Sequence, residues 1–292
     1  MKKIIVLFYN RMWDQPFSFD EIRIPYPFVF TTFVEDIDEA DVVVFHMPSL
    51  KFSRKLQKRP GQLWVFWSME CEQHYPRLNR PDVLGLFDIF MTYKADADIT
   101  VPYLTPQHAQ ALRGKPSAKT NLINSFISSS IDESGRVRLV KQLISLLPID
   151  SYGRLFNNKK IECDNGFESK MSIISRYKFT LALENAVAED YVTEKFYDPL
   201  VAGSIPVYLG APNINEFAPG QNCFIDIRAF ASVRQLADYL LRLNMDDDLY
   251  NQYFTWKGKP YERGFMKKLD EVELHPFMRL CQRVKKKLPY VI

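Results

Sequence analysis

Cysteine is scarce. The four residues Cys71, Cys163, Cys223 and Cys281 lie far apart, so neither a metal-ligand spacing nor a disulfide framework can be drawn through them. Charge of one sign is also lacking. A net formal charge of +3 over 292 residues gives no electrostatic case for nucleic-acid binding. No apolar run reaches the ~18 residues expected of a membrane-spanning helix. The opening MKKIIVLFY is too short and too strand-like for a secretory signal peptide, so the first strand is expected almost at residue 1. No nucleophilic triad pattern competes for attention either. What is present is apolar and aromatic. Hydrophobic residues make up 47% of the chain and aromatics 14%. That is core enough for one large or two small domains, and the aromatics suit sugar stacking as well as packing.

Residues 177–219 organise the rest. An apolar, β-forming run at 179–183 ends in Glu184 and Asn185, and a short loop carries Glu189 and Asp190. Thr193 is placed to cap a helix that opens with Glu194 and Lys195, Gly203 stops it, and 205–209 reads as the next strand. A strand, helix, strand unit makes the two strands parallel. Ligands of such sheets sit beyond the carboxyl ends of the strands, at helix N-termini. A carboxylate and an ammonium in one first turn suit a nucleotide sugar, the carboxylate accepting from ribose hydroxyls and the ammonium meeting the diphosphate. The ordinary alternative is a helix start with an ion pair.

This segment resembles the signature region of the α-1,3/4-fucosyltransferase family, glycosyltransferase family 10. The residues carrying the resemblance are Tyr177-Lys178-Phe179, Glu184-Asn185, Asp190-Tyr191-Val192-Thr193-Glu194-Lys195 and Ala202-Gly203-Ser204-Ile205-Pro206-Val207. They span about forty positions at fixed spacing, far more specific than a lone glycine motif. The resemblance implies an α/β GT-B fold of two facing Rossmann-like domains with parallel sheets. It also implies inverting transfer of fucose from GDP-fucose to a sugar hydroxyl, with α-1,3 linkage to an N-acetylglucosamine-containing glycan.

In the first half, apolar runs at 3–9, 28–34, 41–46, 63–67 and 89–93 read as strands. His46 stands at a strand's carboxyl end, an acceptor-side candidate beside the structural role more usual for a histidine. The stretch 52–59 reads as a solvated helix. The strand at 63–67 runs into Met69-Glu70-Cys71-Glu72. The family carries M-E-S-P there, and its glutamate implies Glu70 as the general base that an inverting transfer needs. Cys71 and Glu72 depart from that pattern, and Glu72 is a rival base. Asp96-Ala97-Asp98 resembles a metal-binding pair, but the family has a similar Y-R-x-D-S-D-I segment. In a GT-B enzyme side chains and a helix N-terminus neutralise the diphosphate, so no divalent metal and no other cofactor is expected.

The polar stretch 105–120 is the best linker, which places a domain boundary near Pro116: 1–116 on the acceptor side, 117–270 on the donor side, and a final helical segment, 271–292, expected to pack back on the first domain. Residues 121–127 read as a strand and 136–147 as an amphipathic helix. The family's serine–asparagine turn and R-x-R opening are matched by Ser128, Ser129, Arg136 and Arg138, without the asparagine. The turn could also offer backbone N–H groups to a phosphate. Arg154, in a family-like Y-G-x element, is a candidate phosphate ligand. The donor set implied by the resemblance is therefore Ser128, Arg136, Arg154, Asn185, Tyr191, Glu194 and Lys195. The basic tail, Arg279, Arg283 and Lys285 to Lys287, is either solvated or a contact for an anionic membrane holding lipid-linked acceptors. The expectation is a cytoplasmic, bacterial-type enzyme. The other readings are a GT-B transferase using another nucleotide sugar, and a catalytically silent sugar-binding relative.

Overall fold

The computed structural model describes residues 2–288 apart from 14, 16, 21, 34–36 and 52–55. It divides into two compact units, residues 1–102 with 271–292, and residues 103–270.

The first unit is built on strands β1 (Ile4–Phe8), β2 (Phe28–Thr31), β3 (Val42–His46), β4 (Leu63–Ser68), β5 (Ile89–Thr92) and β6 (Ile99–Thr100), with a single-turn helix α1 (Pro81–Leu84) before β5. They form one sheet in the order β2-β1-β3-β4-β5-β6, every pairing parallel. Its strands are apolar almost throughout, with polar residues confined to their carboxyl ends, because both faces of the sheet are covered. Ile4, Val6, Phe8, Val44, Val65 and Trp67 pack on one side. Leu7, Val43, Phe45, Trp64 and Phe66 pack on the other. Of the stretch read as a helix at 52–59, residues 52–55 lie outside the described residues and 56–59 are irregular.

The second unit runs α2 (Pro106–Ala111), β7 (Asn121–Ser125), α3 (Arg136–Ile144), β8 (Ile149–Ser151), α4 (Phe167–Ile174), β9 (Tyr177–Leu183), α5 (Glu194–Ala202), β10 (Ile205–Leu209), β11 (Ile225–Asp226), α6 (Val233–Met245) and α7 (Asp247–Gln252), with α8 (Arg263–Val272) at its end. Its sheet, ordered β11-β10-β9-β7-β8, is also wholly parallel. Ile123, Phe179, Leu181 and Val207 from the sheet and Val140, Leu236 and Leu240 from the helices make its core. The boundary lies at Pro102 rather than near Pro116. Residues read as linker form α2, opened by a capping box between Thr105 and His108. They are bound into the second unit: Arg113 donates to the Lys257 carbonyl at 2.8 Å and the Tyr261 hydroxyl to that of Ala109 at 2.5 Å.

The chain then returns to the first unit as α9 (Pro276–Lys287). Phe277, Leu280, Cys281 and Val284 join the cluster around Ile4, Val6 and Phe8. His275 caps this helix, its Nδ1 accepting from Phe277 N, and Pro276 starts it because its missing N–H is not needed there.

Candidate active site

In the second unit the charged groups gather where β9 ends and α5 begins. Thr193 caps α5, its hydroxyl oxygen accepting from the Lys195 backbone N–H at 3.3 Å. The same hydroxyl accepts from the Lys195 ammonium at 3.0 Å and donates to the Glu184 carboxylate, whose two oxygens lie at 2.9 and 2.8 Å. Glu184 also accepts from Thr193 N at 2.8 Å and faces the Lys195 ammonium at 3.5 Å. With an exposure of 0%, this carboxyl is held behind the first turn of α5; burial raises its pKa, and the Lys195 ammonium and the Thr193 hydrogen bonds offset part of that. Gly210 makes room for it, because a Cβ there would stand 2.6 Å from Glu184 Cγ and 2.3 Å from the Tyr208 hydroxyl.

Glu194 and Lys195 themselves pair at 3.2 Å. Burial pushes the Glu194 carboxyl up, but the neighbouring Lys195 and Lys170 ammonium groups outweigh it and hold it below the usual range. Burial pulls the Lys195 ammonium down, yet Glu184 and Glu194 more than restore its charge. The cation the diphosphate would need is thus secured by two carboxylates.

The loop before α5 is braced. Asp190 adopts a φ of 63°. A reciprocal pair of hydrogen bonds with Asn213 holds it there, Asp190 N to Oδ1 at 3.0 Å and Asn213 Nδ2 to Asp190 Oδ1 at 2.9 Å. Tyr191 is buried, its ring edge-on to Tyr103 at 6.4 Å. The Asn185 carbonyl accepts from Glu133 N at 2.7 Å, fixing the loop before α3 against the end of β9.

Arg136, expected at the donor, faces inward and is 1% exposed. Its guanidinium donates to the carbonyls of Leu183, Ser129 and Ile131 at 3.0–3.1 Å. It ties three backbone segments together, and in this conformation offers nothing to a ligand. The N-terminus of α3 is also taken. The Asp132 carboxylate accepts from Arg136 N at 2.9 Å and Val137 N at 3.0 Å, so an internal anion holds the place read as open to phosphate. Ser128 and Arg154 are exposed and come together, Arg154 N donating to Ser128 Oγ at 3.2 Å. Gly153 permits that approach, since a Cβ would lie 2.2 Å from the Ile127 carbonyl oxygen.

In the first unit, a cavity of about 350 Å³ opens past the ends of β4 and β5. Glu70, Glu72, Thr92, Tyr93, Lys94 and Asp96 contribute to its lining. Here the two candidate bases part. Glu72 is bound by the Tyr93 hydroxyl at 2.5 Å and the Lys94 ammonium at 2.6 Å. Burial raises its carboxyl, but these partners outweigh burial and leave it below the usual range. Glu70 is half-buried and sits on a small turn in which its N–H donates to Ser68 Oγ at 3.2 Å. Asp98 is structural: it accepts from Phe90 N at 2.9 Å and pairs with Arg283 of α9.

His46 is 4% exposed. Its ring lies between Trp13 and Trp67, with centroids 5.7 and 5.6 Å away, and Nδ1 is 2.7 Å from Ser49 Oγ. Burial lowers its pKa to about 4, so at neutral pH it is an uncharged, packed imidazole. Most of the basic tail is also engaged. Arg279 donates to the Thr100 carbonyl at 2.6 Å, Arg283 holds Asp98, and Lys285 lies over the Phe28 ring.

Sequence reasoning assigned no role to Glu184, Lys170 or Asp198. The last two form an ion pair at 2.7 Å, with Asp198 buried and Lys170 half-buried, in the recess that Glu194 also lines. Glu184 stood in the quoted motif; Lys170 lies outside it, on α4.

Two parallel-sheet α/β domains, with charged groups gathered beyond the strand ends, define a GT-B architecture. The family model described as glycosyltransferase family 10 (fucosyltransferase) C-term matches residues 116–290, and that of the fucosyltransferase N-terminal region matches residues 1–104. The chain belongs to glycosyltransferase family 10. It is 34% identical over 229 residues to a putative fucosyltransferase-like protein of Arabidopsis thaliana, covering 77% of this chain and 44% of the relative. It is 35% identical over 239 residues to a 4-galactosyl-N-acetylglucosaminide 3-alpha-L-fucosyltransferase of Homo sapiens, covering 78% and 64%. The chain therefore spans less than two thirds of the length of these relatives. A crystal structure of an alpha1,3-fucosyltransferase with GDP-fucose superposes with a TM-score of 0.60 over 94% of this chain and 91% of that one, at 17% identity, a likeness of fold.

Proposed function

We propose that this protein is an inverting fucosyltransferase that moves fucose from GDP-fucose to a hydroxyl of an N-acetylglucosamine-containing glycan, with α-1,3 linkage. The observation that carries the reading is the Thr193-Glu194-Lys195 turn, with its cation locked by the buried Glu184. Family membership supports the donor and the reaction. Lys195 and Arg154 bind the diphosphate and stabilise the charge that grows on departing GDP, and Glu194 accepts from the ribose hydroxyls. Glu70 takes the proton of the acceptor hydroxyl as its oxygen bonds to the anomeric carbon and the bond from that carbon to phosphate breaks. Glu72, committed to Tyr93 and Lys94, orders the cavity wall instead.

With two cationic side chains at the diphosphate, no metal ion is required. Asp98, already shared between Phe90 N and Arg283, is a poor start for a metal site. Among the described residues no helix is long and apolar enough to cross a membrane. A peripheral contact of a cytoplasmic enzyme with a membrane carrying lipid-linked acceptors rests on Lys286 and Lys287, which have no ion-pair partner among the described residues.

GDP release from GDP-fucose, followed with and without N-acetyllactosamine in EDTA, tests this directly. Acceptor-dependent release that survives EDTA is expected. Glu70→Gln should lose it by a factor on the order of 10² or more while still binding GDP, and Glu72→Gln should keep most of it. Release that vanishes with EDTA would remove the metal-free mechanism. Equal losses in both variants would remove the assignment of the base.

A further inference from the structure

Asp198 lies one helical turn beyond Glu194 on α5 and is 2% exposed. A carboxylate so deeply placed needs a cation, and Lys170 of α4 supplies it at 2.7 Å. Burial raises the Asp198 carboxyl, Lys170 offsets part of that, and Glu194 and His108 of α2 also act on it, the first raising and the second lowering it. An ion pair that only joined α4 to α5 could lie anywhere along the two helices. This one lies at the first turn of α5, where Lys170, Glu194, Lys195 and Asp198 line one narrow recess.

The charges around that recess explain why the position matters. Glu194 already bonds to Lys195 at 3.2 Å, and Glu184 stands behind Lys195 at 3.5 Å. With Lys195 as their sole cation, both carboxylates would draw on the ammonium that an anionic ligand needs. A second ammonium in the same recess, whose field acts on Glu194, relieves that demand.

We propose that Lys170 is a positioning residue of the donor site: anchored on Asp198, it shares Glu194 with Lys195 and so frees the Lys195 ammonium for a nucleoside diphosphate. This rests on the donor reading above and adds a residue to it. Lys170 touches the bound nucleotide only through its effect on Glu194 and Lys195.

The test uses the full chain, with GDP as the calorimetric probe and GDP-fucose turnover alongside. Lys170→Met should raise the Kd for GDP and the KM for GDP-fucose about tenfold, with the acceptor KM unchanged. Lys170→Arg, which keeps the charge, should stay within about threefold of the unaltered protein. Because Lys170→Met strands the buried Asp198, the double variant Lys170→Met/Asp198→Asn removes both charges together and spares the fold. It too should bind GDP more weakly, since Glu194 then falls to Lys195 alone. GDP affinity at the unaltered level in the folded double variant would overturn the proposal, as would a parallel rise in the acceptor KM. An unaltered protein that binds no GDP would take down the donor reading itself, and this inference with it.

Discussion

His46 couples the stability of the first unit to pH. Its imidazole is held down to about 4 by burial, whereas an unfolded histidine titrates near 6.5. Between those values the unfolded chain binds a proton that the folded chain refuses, so stability rises with pH across the window. The contribution is complete above about pH 6.5 and is lost as pH falls toward 4. Going from pH 7 to pH 5 should cost about 2 kcal/mol at this site. Denaturant unfolding at the two pH values, on the unaltered protein and on His46→Phe, checks it, because the variant should lose that share of the slope. An unchanged slope in the variant would show that His46 does not set it. The same scale shows what the sequence could reveal. Thr193, Glu194 and Lys195 were legible because a cap and the first helical turn are local. Glu184 was not, because its role depends on β9 and α5 meeting around a side chain that only Gly210 leaves room for. That Glu72 is held by Tyr93 and Lys94 could not be read from the sequence either, because the segment after the neighbouring strand brings those groups in.

At the scale of elements, α5 shows how one residue can end a helix and seat a neighbour. Gly203 has a φ of 73° and closes α5, a conformation that costs other residues about 1 kcal/mol or more. It is also crowded, since a Cβ would lie 2.8 Å from Pro116 Cα. Gly135, with a φ of 76° before α3, has nothing within 4 Å of its absent Cβ. Gly203→Ala should therefore cost about 2 kcal/mol or more, and Gly135→Ala about 1 kcal/mol. Calorimetric melting of both variants isolates the contact with Pro116. Equal losses would mean that the segment at Pro116 simply moves aside. Most strands and the helices α3 and α5 were readable from period and punctuation. Helix α2 was missed because Pro106 and Gly114 punctuate its stretch like a linker, and because His108, rather than a glutamate, completes its capping box. The start of α4 was hidden in the same way, behind the polar run that leads to Phe167.

At the scale of the molecule, the first unit is discontinuous in sequence. Residues 1–102 supply its sheet, and the chain leaves for the whole of the second unit before α9 completes the core. Phe277 is the centre of that closure, with ring centroids 4.8 Å from Phe8, 5.4 Å from Trp67 and 6.1 Å from Phe30. Arg283 and Arg279 add an ion pair with Asp98 and a bond to the Thr100 carbonyl at the β6 edge. Removing one large buried apolar side chain costs about 2–5 kcal/mol. Losing Phe277, Leu280 and Val284 together would thus cost about as much as the roughly 5–15 kcal/mol that holds a typical domain folded. The expected outcome is specific. Residues 1–102 alone should be unfolded or aggregated, while the same residues joined by a flexible linker to 271–292 should fold cooperatively. Residues 103–270, continuous and with a core of their own, should fold unaided. Circular dichroism melts of the three chains decide this, and a cooperative transition in 1–102 alone would show that β1–β6 need no returning helix. The expected result would also mean that the unit carrying the cavity at Glu70 folds only when the last residues are in place, so that truncation at the C-terminus, far from Glu70 in sequence, removes that cavity.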